Sequence, residues 1–354
     1  MVATPVKPTV LVAGAGAVGA ALAHELARNG AKVTVADPRA PGDNASGIAA
    51  GMLAPVFESL LDPLAPAFDV LRAARDLWPD LAGMIGLPLD IHGALTLTET
   101  DEIDSWVTRL TTLGADFHAV TRRALRECVP WLSSERSALW TTEDWRLSPR
   151  DALTALRAGA QSKGARWIEA SVTGFEPGRA DLSDGGFVDC DALVIATGAS
   201  GSLCGLAGEL NLLTPIKGQI LRWPALSLSG PVVRLKGTYI CPSPQGVTVG
   251  ATMEPGRDDL DIDPSAVATL RAGASAVIPA LASGPVEARA GVRAATPDGL
   301  PLVGPSDRPG VWLAVGARRN GWLLAPLIAR IMADMLAGVT PDSRAALFDP
   351  ARFT

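Results

Sequence analysis

The sequence is poor in the residues that build disulfide frameworks and metal sites. Its 354 residues include four cysteines, and no two of them form a C-x-x-C pair: Cys128, Cys190, Cys204 and Cys241. Such spacing indicates free thiols in a reducing compartment and argues against a metal site or a redox couple. The three histidines, His24, His92 and His118, fall in no motif. We assign none of them a role, expect His24 on the exposed side of the first helix, and expect no metal.

An excess of positive charge is also missing. The chain has 31 lysines and arginines against 37 acidic residues, a formal net charge of −6, with a pI near 5.2. We therefore expect neither nucleic acid nor an anionic membrane as a partner. The most apolar late segment, 322–336, carries Arg330 and Asp334, so it predicts a core-facing helix and not a membrane span. These features predict a protein of the cytoplasmic type.

The chain does contain a complete dinucleotide-binding motif near its start. An apolar strand leads into G-A-G-A-V-G at 14–19, an amphipathic helix follows, and a second apolar strand ends on Asp37. Gly14 permits the tight turn, Gly16 lets the backbone approach a pyrophosphate, and Gly19 lets helix and strand pack closely. The helix start offers N–H groups to the pyrophosphate, and Asp37 is placed to accept hydrogen bonds from a ribose diol. A glycine-rich turn in an ordinary βαβ unit is the alternative interpretation.

A later segment bears on which dinucleotide is bound. The chain has no second G-x-G-x-x-G, so it shows no separate site for a nicotinamide partner. Residues 193–199 predict a buried strand that ends in a turn of small residues and returns to the first domain. Thr197 and Gly198 would then lie at the carboxyl end of a parallel strand, where ligands of such sheets bind. A plain core strand capped by glycine explains the same residues equally well.

Four sets of short strings carry a family resemblance. They are A-G-M-L-A-P at 50–55, P-I-K-G-Q at 215–219, Y-I-C-P at 239–242 with V-G-A-T-M at 249–253, and G-V-R at 291–293 with T-P-D-G-L-P at 296–301 and R-N-G-W-L-L-A-P at 319–326. In this order they resemble the glycine oxidase branch of the D-amino-acid oxidase family, and they span nearly the whole chain. Members of that family are FAD enzymes, so the resemblance implies FAD as the cofactor.

The resemblance also implies the fold class. We expect an α/β protein, α+β overall, with a Rossmann-like FAD-binding domain and an interleaved antiparallel-sheet substrate-binding domain. The FAD-binding domain would be discontinuous and comprise residues 1–85, 146–212 and 286–354. The substrate-binding domain would comprise residues 86–145 and 213–285.

Local patterns predict several elements within this framework. Residues 237–241 and 247–251 predict a hairpin, because two strand-like runs flank a turn rich in proline and glycine. Their partner strand is predicted at 218–223. Residues 149–163 predict a helix, and residues 166–172 predict a short strand after it.

The resemblance assigns a substrate site to four residues. Arg293 matches the arginine that binds the substrate carboxylate, and Tyr239, the one tyrosine of the chain, matches its hydroxyl partner. A guanidinium suits this role because its planar fork binds both carboxylate oxygens. Met253 matches a residue beside flavin and substrate, and Arg319 begins the segment at the flavin edge. Without the resemblance, a surface arginine, a strand aromatic and a gap-filling core methionine are the alternatives.

The cofactor site combines the motif with the resemblance. A helix that begins after Arg319-Asn320-Gly321 would direct its positive end to the flavin edge where charge accumulates on reduction. Val172 matches a residue that contacts the adenine half through its backbone. The expected cofactor-binding residues are Gly14, Gly16, Ala17, Val18, Gly19, Asp37, Pro38, Arg39, Ser46, Ala50, Gly51, Met52, Val172, Thr197, Gly198, Arg319, Asn320, Gly321, Trp322 and Leu323.

The activity implied by the resemblance is oxidative deamination of glycine, sarcosine or a small D-amino acid. Hydride would pass from Cα to flavin N5, giving an imine or oxo acid, with molecular oxygen or another acceptor taking the electrons and hydrogen peroxide as a product. In the family this activity often serves thiamine thiazole synthesis. The chain departs from relatives at Ala317, Arg318 and Trp322, beside the expected flavin and substrate, so the size of the substrate and the electron acceptor stay open. We expect Arg318 to face solvent.

Two other function classes stay open at this point. The first is an FAD dehydrogenase that acts on another amino acid or a 2-hydroxy acid and uses an acceptor other than oxygen. The second is a nicotinamide-dependent dehydrogenase or a non-catalytic nucleotide-binding protein. The oligomeric state, including a homo-oligomer, is equally open.

Overall fold

The computed structural model describes residues 8–99 and 102–353. The strands are β1 (Thr9–Ala13), β2 (Lys32–Ala36), β3 (Met52–Leu53), β4 (Ala94–Thr98), β5 (His118–Val120), β6 (Ser137–Thr141), β7 (Trp145–Arg146), β8 (Arg166–Ile168), β9 (Val172–Glu176), β10 (Gly178–Leu182), β11 (Phe187–Cys190), β12 (Ala192–Ile195), β13 (Thr214–Trp223), β14 (Val232–Leu235), β15 (Thr238–Cys241), β16 (Val247–Gly250), β17 (Glu254–Pro255), β18 (Glu287–Ala295), β19 (Leu302–Pro305) and β20 (Val311–Val315). The α-helices are α1 (Ala17–Arg28), α2 (Ala45–Ile48), α3 (Pro55–Leu61), α4 (Phe68–Asp76), α5 (Trp78–Ile85), α6 (Ile103–Leu113), α7 (Arg122–Cys128), α8 (Pro149–Gln161), α9 (Pro264–Ser275), α10 (Gly321–Leu336) and α11 (Ala345–Phe348).

The first large sheet carries the dinucleotide-binding motif. Its six strands run in the order β19-β20-β12-β1-β2-β8, and all neighbours are parallel except the pair β19 and β20. Strands β1 and β12 consist of consecutive apolar residues because both faces of this sheet are covered. Because β1, β2 and β12 are parallel, their carboxyl ends lie side by side at the same end of the sheet. The glycine-rich turn, Asp37 and Thr197 all follow directly at that end.

Helices cover one face of this sheet and a small sheet covers the other. Helix α1 packs between α10 and α8 through apolar side chains that include Leu22, Leu26 and Leu327. On the opposite face, β9, β10 and β11 form a three-stranded sheet whose Phe175 packs against Leu193 in a second core. The edge at which β1 ends is therefore held rigidly from both sides.

The second large sheet has nine strands and is mainly antiparallel. Its order is β17-β13-β16-β15-β14-β4-β6-β5, β18 pairs with β13, and β14 and β4 form the parallel pair. One face packs on α9 through a core that includes Leu221, Val249 and Leu270. The long pair β13 and β18 brings this sheet to the segment 45–48, since Gly291 lies next to Ala45. A two-stranded sheet of β3 and β7 completes the strand pairing.

The fold class predicted from the sequence is confirmed, and most local predictions agree with the model. Strands β15 and β16 form the expected hairpin and β13 is its partner. Helices α8 and α10 occupy the predicted segments. The single strand predicted at 166–172 is wrong: β8 ends at Ile168 in the first large sheet, and Val172 begins β9 in the three-stranded sheet.

The predicted exposure of His24 is also wrong. Its side chain is only 4 % exposed and lies against Gly159 of α8. A Cβ on Gly159 would lie 2.8 Å from the His24 ring, so the missing side chain makes the room. Burial lowers the pKa of His24, which favours a neutral imidazole in this helix contact.

The predicted domain boundaries stay a proposal, with one adjustment. Residues 286–354 were expected in the FAD-binding domain, but β18 pairs with β13 in the nine-stranded sheet. We therefore propose that the last boundary follows Ala295, where β18 ends.

No helix within the described residues is both long and apolar enough to cross a membrane. The expected cytoplasmic type stays a prediction.

Candidate active site

The turn after β1 leaves little room for a side chain at Gly14 or Gly16. Gly14 has φ +105°, and a Cβ there would lie 2.8 Å from the carbonyl carbon of Ala196. A Cβ at Gly16 would lie 3.0 Å from the Ser46 hydroxyl oxygen, which accepts a hydrogen bond from the Ala17 amide at 2.9 Å. The backbone at the start of α1 is therefore free for close approach by a ligand, as the motif requires.

Asp37 is fixed at the edge of a small cavity. Its carboxylate accepts hydrogen bonds from the Ala15 amide at 2.8 Å and from the Arg39 amide at 2.9 Å. The cavity has a volume of about 180 Å³, and its walls include Asp37, Arg39, Arg157 and Trp167. Sequence reasoning missed Arg157 and Trp167, which belong to α8 and β8 and pack on each other with a guanidinium-to-ring distance of 5.4 Å.

A larger cavity lies between the nine-stranded sheet and the segments 45–52 and 319–322. Its volume is about 580 Å³, and it brings together the expected residues Ala50, Gly51, Met52, Tyr239, Met253, Arg293, Arg319, Asn320 and Trp322. Ala45 lines this cavity and the adjacent Asn44 lines the smaller one. A long ligand can thus pass from one cavity to the other beside Gly16, because Ser46 joins this segment to α1.

The Arg293 side chain occupies space that is open because the neighbouring strand has a glycine, Gly218, at this position. Its guanidinium lies over Gly218 of β13, where a Cβ would be 2.6 Å from the guanidinium carbon. Nη1 contacts the Thr252 carbonyl oxygen at 3.4 Å and the Met253 sulfur at 3.5 Å. No carboxylate pairs with Arg293 within the described residues, so its fork is free for a carboxylate ligand.

Tyr239 is held in a similar way by a glycine. A Cβ at Gly250 of β16 would lie 2.5 Å from the Tyr239 hydroxyl oxygen. Burial raises the pKa of Tyr239 to about 12, although Arg293 and Arg234 act in the other direction. The hydroxyl therefore stays protonated and able to donate a hydrogen bond at physiological pH. Glycine inside a strand often marks such a close approach, which is the signal by which Gly218 and Gly250 could have been found.

Comparison with known proteins agrees with this geometry. The family model for FAD dependent oxidoreductases matches residues 9–335. This chain belongs to that family. It is 31% identical to the glycine oxidase of Geobacillus kaustophilus, over 98% of this chain and 96% of that one. It is 34% identical to a Rhizobium etli protein whose name describes a thiamine biosynthesis oxidoreductase, over 90% of this chain and 94% of that one. The crystal structure of the Geobacillus kaustophilus enzyme superposes with a TM-score of 0.86 at 28% identity, covering 98% and 99% of the two chains.

The cofactor of this FAD-dependent oxidoreductase is FAD, and the two cavities fit it. The glycine turn leaves room for a pyrophosphate, the small cavity offers Asp37 to a ribose, and small residues at 49–51 line the large cavity. The start of α10 also reaches the large cavity, since Asn320 and Trp322 line it. Family membership thus favours FAD over the nicotinamide alternative.

Several expected cofactor residues lie outside the two cavities, among them Val172, Thr197 and Leu323. Val172 and Leu323 are buried in the core, and neither lines a described cavity. Thr197 lies against Gly14, and its hydroxyl donates to the Ser200 carbonyl at 3.3 Å. Trp322 donates from Nε1 to the Ser46 carbonyl oxygen at 3.0 Å, so it ties α10 to the segment beside α1. The individual roles of these residues in FAD binding stay predictions.

Sequence reasoning missed an ion-pair network in the wall of the large cavity. Glu58 of α3 is buried and pairs with Arg234 at 3.1 Å and with Arg319 at 3.1 Å. Burial opposes its ionisation, but the two guanidinium groups outweigh burial and lower the pKa of Glu58. The glutamate is therefore a fixed anion that orients Arg319, and it is not available as a base. An arginine inside the apolar run 232–235 was the available signal for Arg234.

The expectation that Arg318 faces solvent is wrong. Its side chain is only 13 % exposed and pairs with the buried Asp62. Arg318 adopts φ +47° in the turn before α10, which directs it away from its neighbour Arg319. Asp62 follows the end of α3, so the pair joins α3 to the start of α10.

We expect substitution of Gly218 by alanine to impair substrate binding without loss of FAD. The new Cβ would displace the Arg293 guanidinium, and misplacement of about 1 Å can lower catalysis by roughly 100-fold. We predict a fall in kcat/KM of roughly 10- to 100-fold, mainly through KM, in steady-state kinetics. Gly83→Ala is the matched control, since nothing lies within 4 Å of Gly83 on α5. Equal kinetics in the two variants would contradict the close approach described above.

A pH-dependent stability is expected from Asp144, which caps α3. Its carboxylate accepts hydrogen bonds from the Val56 amide at 2.8 Å and the Phe57 amide at 3.1 Å. Burial raises the pKa of Asp144 from 3.8 to about 7, although Arg234 and the two amides lower it. Because the pKa of Asp144 is higher in the folded than in the unfolded protein, its proton stabilises the folded state. The contribution of this proton to the free energy of unfolding is complete below about pH 4 and is lost as the pH rises through about 7.

Asp144→Asn cannot ionise and therefore isolates this effect. We expect the free energy of unfolding of the wild type to fall relative to that of the variant between pH 5 and pH 8 in urea titrations. His24 acts in the opposite direction below pH 6.5, but it does so equally in both proteins. Parallel pH profiles would mean that Asp144 does not carry the expected proton.

Proposed function

We propose that this protein oxidises the amine of glycine, sarcosine or a small D-amino acid. The observation that carries the proposal is one cavity that contains the Arg293 guanidinium, which has no carboxylate partner among the described residues, the protonated hydroxyl of Tyr239 and the residues expected at the flavin. A planar fork and a hydroxyl donor suit an α-carboxylate. The similarity to the glycine oxidase of Geobacillus kaustophilus supports the same substrate class.

The residues of this chain would act by orientation. Arg293 would bind both carboxylate oxygens and Tyr239 would donate one further hydrogen bond, which holds Cα in one place. Met253 would pack beside the bound substrate, because its sulfur contacts Arg293 at 3.5 Å. FAD, when bound, would supply the two-electron acceptor for oxidation of the amine to an imine, and oxygen would take up those two electrons to give hydrogen peroxide. Water would hydrolyse the released imine to the oxo acid and ammonia or the corresponding amine.

Neither of the two acidic residues in the described lining of the cavity is placed to act as a base. Glu58 is held as an anion between two arginines, Glu102 is exposed at the start of α6, and the described lining contains no histidine. The substrate amine would therefore have to bind or become neutral without a protein base. Arg319 and the start of α10 would place positive charge at the flavin, with Glu58 fixing the orientation of Arg319.

Steady-state assays test the proposal directly. The holoprotein should consume oxygen and form hydrogen peroxide in equal amounts with glycine, sarcosine or a small D-amino acid. Oxidation of the amino acid without peroxide would point to an acceptor other than oxygen. Absence of oxidation with every member of the panel would overturn the proposal.

A link to thiamine thiazole synthesis is part of the same proposal. It is supported by the similarity to the Rhizobium etli protein named for thiamine biosynthesis. Cells that lack the protein should then require added thiazole or thiamine for growth. Normal growth without either would separate the enzyme from that pathway.

A further inference from the structure

The large cavity carries more positive charge than one substrate carboxylate requires. Among the described residues that line it, five are cationic and two are acidic: Arg109, Arg234, Arg293, Arg319 and Lys236, against Glu58 and Glu102. A single α-carboxylate would raise the negative charges to three. Two cations would still lack an opposite charge.

The inner part of the cavity accounts for three of these cations. Arg234 and Arg319 share Glu58, and Arg293 is the proposed carboxylate anchor. With Glu58 and the α-carboxylate as its anions, the inner part keeps one unmatched positive charge. The other unmatched charge is at the outer part, where Lys236 and Arg109 are exposed. Glu102 lines the same cavity but forms no ion pair with either of them.

Lys236 lies at the tip of the hairpin that carries Tyr239. The pairs Arg234–Tyr239 and Leu235–Thr238 close the ladder, and Lys236 and Gly237 form the turn beyond it. At a rise of about 3.3 Å per residue, Lys236 is only about 7 Å along the strand direction from the Tyr239 pair. Its ammonium, on a flexible four-carbon stem, has no hydrogen-bond or ion-pair partner within the described residues.

Arg109 approaches the same region from α6. Its guanidinium carbon is 4.8 Å from the centroid of the Trp106 ring, and Nη2 donates to the Leu60 carbonyl oxygen. Trp106 packs in one apolar cluster with Tyr239. The stacked guanidinium is therefore held beside the proposed substrate site, and it has no carboxylate partner within the described part of the chain.

We propose that the preferred substrate carries a second anionic group, which Lys236 and Arg109 bind while Arg293 holds the α-carboxylate. The substrate class is thus an amino acid with a second carboxylate or a comparable anion, on its side chain or on its nitrogen. This inference rests on the proposed function, since it names the substrate class of the same site.

Pairs of compounds that differ only in charge test the proposal. They are D-aspartate and D-asparagine, D-glutamate and D-glutamine, and iminodiacetate and its monoamide. We expect kcat/KM to favour the dianionic member of at least one pair by roughly 10-fold or more. That preference should fall roughly 5-fold in Lys236→Gln and in Arg109→Gln, as for partly exposed charge pairs, and further in the double variant. The amide of each pair is the internal reference for folding and FAD content.

A surface cation elsewhere gives the matched control. Arg123 on α7 is exposed and does not line the cavity, so Arg123→Gln should retain the wild-type preference. Equal kcat/KM for both members of all three pairs would overturn the inference. A preference that persists in the double variant would do the same.

A binding measurement separates this inference from the proposed function. Calorimetry on the holoprotein compares succinate with succinamate, neither of which has an amine to oxidise. Tighter binding of succinate, lost in the double variant, would support the second anion site even if no amino acid were turned over. Oxidation of glycine with no discrimination between succinate and succinamate would leave the proposed function intact and reject the inference.

Discussion

Replacement of Arg293 by alanine is expected to lower kcat/KM for the amino acid substrate by roughly 100- to 4,000-fold while FAD stays bound. The guanidinium is the one cation of the inner cavity without an acidic partner among the described residues. Each hydrogen bond to a charged group contributes about 1.5–3 kcal/mol, and two parallel bonds give about 3–5 kcal/mol. Every 1.4 kcal/mol corresponds to a factor of about ten.

A second variant separates the effect of the positive charge of Arg293 from the effect of its planar pair of hydrogen-bond donors. Arg293→Lys keeps a positive charge but loses the planar pair of donors, so we expect a loss between those of wild type and alanine. Arg289→Ala is the matched control, because Arg289 lies on the same strand, is exposed and pairs with Glu287. Steady-state kinetics measure the change in kcat/KM, and the ratio of flavin to protein absorbance measures how much FAD stays bound. Unchanged kinetics in Arg293→Ala would remove the proposed anchor.

Replacement of Gly16 by leucine is expected to abolish retention of FAD. A Cβ at this position lies 3.0 Å from the Ser46 hydroxyl oxygen, and a larger side chain would fill the space beside the start of α1. The hydrogen bond from the Ala17 amide to Ser46 would also be disturbed. We expect less than about one tenth of the flavin content of the wild type after purification, since the pyrophosphate depends on close backbone approach.

The control must separate loss of FAD from loss of the fold. Gly83→Leu places the same side chain on the exposed surface of α5, where nothing lies within 4 Å of the new Cβ, and it should keep its flavin. Circular dichroism should show that Gly16→Leu retains its secondary structure. A folded Gly16→Leu protein with full flavin content would show that the pyrophosphate does not pass this turn.

Local sequence signals predicted the glycine-rich turn and the position of Asp37, although not Arg157 and Trp167 in the wall of the small cavity. The spacing of Gly14, Gly16 and Gly19 reflects contacts within one βαβ unit, and the structure places those glycines where side chains would collide with backbone or with Ser46. Asp37 follows β2 directly, so its position depends on the same unit. Short-range geometry of this kind is encoded in neighbouring residues and can be predicted from them.

The substrate half depends on contacts between distant segments. The Arg293 side chain occupies the space over Gly218, and the Tyr239 side chain occupies the space over Gly250. In both cases the glycine lies on a neighbouring strand, so the space exists only in the folded sheet. Glu58 meets Arg234 across 176 residues of sequence. Arg293 and Tyr239 were predicted as site residues through the family resemblance, whereas the glycines beside them, Gly218 and Gly250, were not.

Arg318 illustrates why exposure was misjudged. Two adjacent arginines in a loop usually face solvent. Here Arg318 has a left-handed backbone, and the two side chains pair with different buried carboxylates, Asp62 directly after α3 and Glu58 within it. Neither partner lies within the local sequence window of the arginines.

Anaerobic mixing of the purified holoprotein with glycine, sarcosine and small D-amino acids tests the central claim most directly. The account predicts loss of the flavin absorbance near 450 nm with at least one of these compounds, and its recovery with formation of hydrogen peroxide when air is admitted. Arg293→Ala should show the same band at rest but need much higher substrate concentrations to lose it. A flavin band that no amino acid diminishes would contradict the account.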